Sequence, residues 1–171
     1  EELNIFSSQH RNTYEQASFS PRGDKYVIAE ALELTDTIRI SIYDFDRCSG
    51  SLAKRESKIL SKRNFTYAVV SFSPDGKYLY YTDGFTMYQC DMDAIDDVFA
   101  SEIIVAAYDG SISDYYREKL TFSKMTYAPD GRIYCIPPGN TRSIHTIEYP
   151  EERGEASSMI QNRIALPIKN F

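Results

Sequence analysis

The sequence predicts an all-β fold made of about three repeated four-stranded antiparallel units. Three observations predict it. A hairpin signal built on Pro and Gly recurs three times. Runs that alternate polar and apolar residues flank each copy. The composition holds 14 Tyr and 9 Phe but no Trp, residue types that suit pleated, half-buried surfaces.

The three hairpin copies begin Ser20-Pro21-Arg22-Gly23, Ser73-Pro74-Asp75-Gly76 and Ala128-Pro129-Asp130-Gly131. Their prolines stand 53 and 55 residues apart, slightly more than one four-stranded propeller blade of about 40–50 residues needs. Pro pre-sets φ near −65° for the turn, and Gly supplies the left-handed conformation that ends it. Val70 and Phe72 alternate before the second turn, and Tyr78 and Tyr80 after it. Two alternating runs around a short Gly-containing loop are a β-hairpin signal.

Further strands fit between the copies. Thr37 to Tyr43 alternates over seven residues, then Asp44 to Gly50 is rich in turn formers, and Ala53 to Leu60 is the outer strand. The second unit repeats the order with Phe85 to Cys90, the acidic loop around Asp91 and Asp93, and Glu102 to Ala107. The third offers Ser143 to Glu148 and Ile160 to Leu166, and Leu3 to Ser8 is a candidate strand of a preceding unit. Helix is confined to single turns at Ala94 to Ala100 and Ile112 to Glu118, too short to be stable alone. These units are expected to be β-propeller blades at roughly 14–62, 66–108 and 119–168, forming a partial ring within one segment, 1–171, with no internal domain boundary.

The hydrophobic share of 42% and charged share of 26% are those of a globular domain. The net charge of −6 argues against nucleic acid, whose binding needs excess Lys and Arg; the pairs Lys54-Arg55 and Lys62-Arg63 are expected on a solvated strand face or loop. No run of about 18 apolar residues occurs, so membrane insertion is not expected. The N-terminal Glu1-Glu2-Leu3-Asn4 lacks the pattern of a signal peptide, as would a trimmed exported protein. Cys48, Cys90 and Cys135 are widely spaced, which points to neither zinc nor a redox pair. One disulfide fits the count, and the compartment stays open on this evidence.

The run Phe72-Ser73-Pro74-Asp75-Gly76-Lys77-Tyr78-Leu79-Tyr80 resembles the WD40-like (TolB or PD40-type) β-propeller repeat. Several stretches are similar to those of exported propellers from Bacteroidetes-type bacteria: Asp44-Phe45-Asp46-Arg47-Cys48-Ser49-Gly50, Ile104 to Gly110, Ile144 to Pro150, and Asn162 to Pro167. The resemblance covers roughly residues 14 to 168. It implies a six- or seven-bladed ring, export to the periplasm or cell surface, and a binding or scaffolding role without shared catalytic residues. It also implies that the C-terminal end is the natural one, with missing blades before Glu1. Two positions depart from the pattern. Arg163 stands where Gly is expected, and Ala156-Ser157 where Cys is expected, which undercuts a disulfide there.

No catalytic constellation is legible. His10 and His145 are the two histidines, and His145 lies in a strand where a packed role is expected. The chain has no nucleophile elbow, P-loop or GxGxxG. Asp91, Asp93, Asp96 and Asp97 cluster, but the EF-hand pattern fails, so no metal and no cofactor are expected. The loop holding Asp109, Tyr115, Tyr116 and Arg117 is the candidate ligand contact, because it joins two units and carries the Tyr and Arg typical of interface hot spots.

The expected function is therefore a non-enzymatic binding or scaffold module for a protein or glycan. The alternative is a partial propeller domain of a larger hydrolase, peptidase or glycan-acting, with its catalytic residues elsewhere. Three blades leave an arc with exposed sheet faces. Further blades or a second copy are expected to close it, the latter making a homo-oligomer.

Overall fold

A computed structural model describes residues 16–32, 37–61, 69–95, 97–114, 117–139 and 141–167. Among the described residues, twelve strands form three four-stranded sheets. The first sheet holds β1 (Gln16–Phe19), β2 (Lys25–Leu32), β3 (Thr37–Asp46) and β4 (Ser51–Ser61). The second holds β5 (Val69–Phe72), β6 (Tyr78–Thr82), β7 (Thr86–Asp91) and β8 (Ile103–Ala107). The third holds β9 (Lys124–Tyr127), β10 (Ile133–Ile136), β11 (Ser143–Ile147) and β12 (Met159–Ala165). Each sheet is an antiparallel meander with its strands side by side in chain order. The candidate strand at Leu3 to Ser8, and the pair Lys62-Arg63, lie outside the described residues.

The sheets pack face to face in sequence order. Val27, Ala29, Ile38, Ile40 and Ile42 of the first sheet meet Val70, Phe72, Leu79 and Tyr81 of the second. The opposite face of the second, through Val69, Tyr78, Tyr80 and Met87, meets Met125, Ile133, Cys135 and Ile147 of the third. Alternation along each strand makes this possible, since successive side chains leave on opposite faces. Every residue of β5 and β6 is buried, because the middle sheet is covered on both sides. The first strands β1, β5 and β9 lie together at the inner side of the arc, with β5 touching both others.

The hairpins explain the repeat and correct its alignment. Ser73 Oγ accepts the Tyr78 amide at 2.8 Å and donates to Asp75 at 2.6 Å. Gly76, at φ +74°, completes the turn. The sequence motif aligns Lys25-Tyr26 with Lys77-Tyr78. The register instead pairs Phe19 with Tyr26, Phe72 with Leu79 and Tyr127 with Ile133. Tyr26 is therefore equivalent to Leu79, because Asp24 adds a residue after the glycine of the first turn. A one-residue slip sends a side chain to the other face. Tyr26 accordingly faces outward from the first sheet, while Tyr78 packs against the third.

Other local expectations shift too. Asp44, Phe45 and Asp46 extend β3, and the turn is confined to residues 47–50. It is held by the Asp46 carboxylate, which accepts from the Cys48 amide and the Ser49 hydroxyl at 2.8 Å each. Ala94 to Ala100 yields only a short 3-10 turn, Phe99–Ser101. No helix is found among the described residues of Ile112 to Glu118: Ile112 bridges Lys119, and the Ser113 amide donates to the Glu118 carbonyl at 2.7 Å. No described helix is long and apolar enough to cross a membrane.

Candidate functional site

The inner strands enclose a cleft of about 430 Å³, within the size range of small-molecule sites. Gln16, Ser18 and Phe19 of β1, Ser71 and Phe72 of β5, and Met125, Thr126 and Tyr127 of β9 line it. The Gln16 side-chain amide closes one part of it by bonding like a ladder rung. Its Nε2 donates to the Met125 carbonyl at 2.7 Å, and its Oε1 accepts from the Met125 amide at 3.4 Å. The first and third sheets are thereby tied directly across the inner side of the arc. The polar groups facing the cleft are hydroxyls and an amide, with no carboxylate, imidazole, thiol or amine among the lining residues. Such a lining can hydrogen-bond a neutral hydroxylated ligand but supplies no strong general base at neutral pH.

The loop between β8 and β9 lies at the opposite end of the inner strands from Pro21, and neither Asp109 nor Arg117 lines the cleft. Asp109 is exposed. Burial works to raise its carboxyl pKa, but hydrogen bonds from the Ser111 hydroxyl and amide hold it below the ordinary value. Its amide donates to Gln161 Oε1 at 3.2 Å, and Gln161 Nε2 donates to the Ala107 carbonyl at 2.8 Å, so β12 anchors the loop's start. Arg117 is exposed at φ +57°. Tyr115 and Tyr116 lie outside the described residues.

His145 is a packed residue, fully buried. Its Nδ1 accepts the Asn162 amide at 2.9 Å, and Nε2 lies 3.0 Å from the Leu120 carbonyl. The neutral ring protonated at Nε2 satisfies both contacts, and burial pushes its pKa down. Asn162 takes the left-handed conformation, φ +55°, one position before the glycine the repeat pattern expects, and Arg163 reaches Glu148 at 3.5 Å.

The acidic loop is tied to neighbouring sheets by arginines. Arg153 approaches Asp91 at 3.7 Å and Arg22 approaches Asp93 at 3.8 Å. Asp97 accepts the Ala100 amide at 3.1 Å, and Asp96 lies outside the described residues. No group of three His, Cys, Asp or Glu among the described residues could hold a metal ion. Lys54 and Arg55 fall on β4, where Arg55 meets Glu56 at 3.3 Å and donates to the Ala94 carbonyl at 3.1 Å.

Sequence reasoning missed a buried polar cluster between the second and third sheets. Gln89 Nε2 donates to Tyr80 Oη at 2.7 Å and to the Glu152 carbonyl at 2.8 Å, while its Oε1 accepts the Gly154 amide at 2.9 Å. Tyr80 Oη donates to the Pro150 carbonyl at 2.8 Å. A Gln alternating with Met87 and Asp91 in a strand gives no sequence signal of this, because its two backbone partners lie more than sixty residues away.

No family model and no curated protein matches the sequence. Solved structures do match. A periplasmic gluconolactonase of Pseudomonas aeruginosa aligns over 92% of this chain and 46% of its own, with a TM-score of 0.60 and 17% identity. A protein from Lactobacillus plantarum aligns over 89% of this chain and 42% of its own, with a TM-score of 0.50 and 17% identity. The three sheets are blades of a β-propeller. The chain spans less than half the length of either structure, and its three blades do not close a ring. The expectation of a non-enzymatic scaffold does not stand. It rested on the repeat resemblance and on the lack of a legible catalytic constellation, and a structure that shares this fold is an enzyme.

Proposed function

We propose that this chain is part of the propeller of a larger, glycan- or sugar-acting hydrolase, in which these blades hold substrate and the catalytic residues lie outside them. Two observations support the reading. The fold likeness to a gluconolactonase runs over 92% of the chain, and the cleft on the inner strands is lined by neutral hydroxyl and amide groups rather than by acid–base residues. Residues 1–171 act as one propeller segment in this reading. The TolB-type repeat resemblance and the periplasmic neighbour support membership of an exported propeller group. Asp109 and Arg117 are rim contacts at the opposite end of the inner strands.

The test is an amide-resolved NMR titration of the chain with methyl glucoside, a neutral sugar that offers ring hydroxyls without a charge. Shifts concentrated at Ser18, Ser71 and Thr126, weakened in Ser71→Val, support the reading. No shifts at tens of millimolar methyl glucoside, or shifts confined to 109–117, refute it. Turnover of gluconolactone by the chain alone would also overturn the placement of the catalytic residues.

A further inference from the structure

The cleft is edged by backbone as well as by side chains. In an antiparallel pair, residues whose amide and carbonyl bond across the ladder alternate with residues whose groups point the other way. The Ser20, Ser73 and Ala128 amides bond across to the Lys25, Tyr78 and Arg132 carbonyls at 2.9, 2.8 and 3.0 Å. Phe19, Phe72 and Tyr127 stand one place earlier in the same registers. Their N–H and C=O groups therefore point out from the free edges of β1, β5 and β9, and all three residues line the cleft. These first strands face the central channel of a propeller, so the edges stay open to the axis whatever number of blades completes the ring.

A hydroxyl precedes each of the three. Ser18 Oγ donates to the Phe19 carbonyl at 3.3 Å, Ser71 Oγ to the Phe72 carbonyl at 3.4 Å and Thr126 Oγ1 to the Tyr127 carbonyl at 3.3 Å. The bonds are long, and each hydroxyl oxygen keeps its lone pairs. Every blade thus offers one N–H donor beside two oxygen acceptors. The molecule itself shows what such an edge holds. Met125 lies two places before Tyr127 and points the same way, and Gln16 meets its carbonyl with Nε2 at 2.7 Å and its amide with Oε1 at 3.4 Å. A group that carries a donor and an acceptor side by side fits the edge.

We propose that the backbone edges at Phe19, Phe72 and Tyr127, each with the hydroxyl before it, are equivalent subsites for adjacent sugar hydroxyls. Two neighbouring hydroxyls on a pyranose ring present a donor and an acceptor side by side, as the Gln16 amide does. One accepts from the backbone N–H and the other donates to the carbonyl. The ligand is a neutral sugar with adjacent ring hydroxyls, and the cleft reads the hydroxyl pair rather than the group outside the ring. The inference rests on the reading of the cleft as a sugar site and adds how that site selects its sugar.

The experiment is the NMR titration of the chain with methyl glucoside, run beside its 3-deoxy and 6-deoxy analogues. Removing the 3-hydroxyl destroys both adjacent pairs on the ring, whereas removing the 6-hydroxyl keeps them. The 3-deoxy sugar is expected to bind at least about tenfold more weakly than methyl glucoside, and the 6-deoxy sugar within about threefold of it. Beside the shifts at Ser18, Ser71 and Thr126, the amides of Phe19, Phe72 and Tyr127 should move, while the Met125 amide, already held by Gln16, stays in place. A 3-deoxy sugar that binds as well as the 6-deoxy sugar overturns the proposal. So does a titration in which the Phe19, Phe72 and Tyr127 amides stay still. Either result leaves the sugar reading standing, whereas no response to methyl glucoside overturns both.

Discussion

The middle blade and its neighbours are built on one plan and live in different surroundings. Phe72 and Phe19 occupy equivalent places, yet one is sealed between sheets and the other faces outward. Tyr80 and Tyr134 are also equivalent by register. Tyr80 is buried and donates to a backbone carbonyl of the next blade, whereas Tyr134 turns back to Asp130 of its own hairpin at 2.6 Å. The same residue type at the same strand position is thus core in one blade and surface in another. What decides is the presence of an adjacent sheet, since most of a side chain's stabilisation comes from apolar surface withdrawn from water.

The largest contrast should appear at the phenylalanines. Phe72→Ala is expected to cost about 3–5 kcal/mol, in line with truncation of a buried aromatic. Phe19→Ala should cost about 1 kcal/mol or less when urea unfolding is followed in solution dilute enough to keep the chain monomeric. Equal losses would break the comparison.

Gln89→Leu should cost about 1–3 kcal/mol, because it leaves the part-buried Glu152 carbonyl and Gly154 amide without their partner and removes the donor to the buried Tyr80 hydroxyl. The expected signature in hydrogen exchange is faster opening of the 148–158 loop than of the first blade. Within the same cluster, Tyr80→Phe should lose about 1–2 kcal/mol, whereas Tyr134→Phe, at an exposed hydroxyl, should leave the urea midpoint unchanged.

His145 supplies a pH test at the joint between the second and third blades. Burial holds its pKa below the ordinary value of about 6.5, so the unfolded chain takes up the proton first as pH falls. The stabilisation that depends on the neutral ring is complete above about pH 6.5 and is lost progressively below it. The slope is at most about 1.4 kcal/mol per pH unit. Melting of wild type and His145→Asn from pH 8 to 5 should diverge in slope only in the lower part of that range.

The thiols report coverage without altering stability. Cys48 is exposed, while Cys90 and Cys135 are buried in the two blade interfaces, where burial pushes each thiol up to about 12. A disulfide-exchange reagent at pH 8 should titrate one thiol rapidly and the other two only on unfolding.

Much of the blade plan was legible in the chain. The Ser73-Pro74-Asp75-Gly76 turn and its two relatives announce hairpins because their chemistry is local. Thr37 to Tyr43 reads as a strand because its alternation meets the pleat directly. The register of the first blade was not legible, since the extra Asp24 changes which face Tyr26 takes without spoiling the motif. Nor was the cleft, whose lining comes from three strands over a hundred residues apart and includes residues as unremarkable in sequence as Ser18 and Thr126. The loop at Asp109 attracted notice through its residue types, and the structure sets it apart from that cleft.

By itself, then, the sequence determined the repeated hairpins, the alternation and the all-β class, because turn geometry and strand pleat act over a few residues. The tertiary structure decided which face of each strand is buried, the fully sealed middle blade, the Gln89 cluster and the bridge from Gln16 to Met125. Those depend on which sheets lie against each other, and packing between distant segments leaves no periodic trace in the chain that folds to make it.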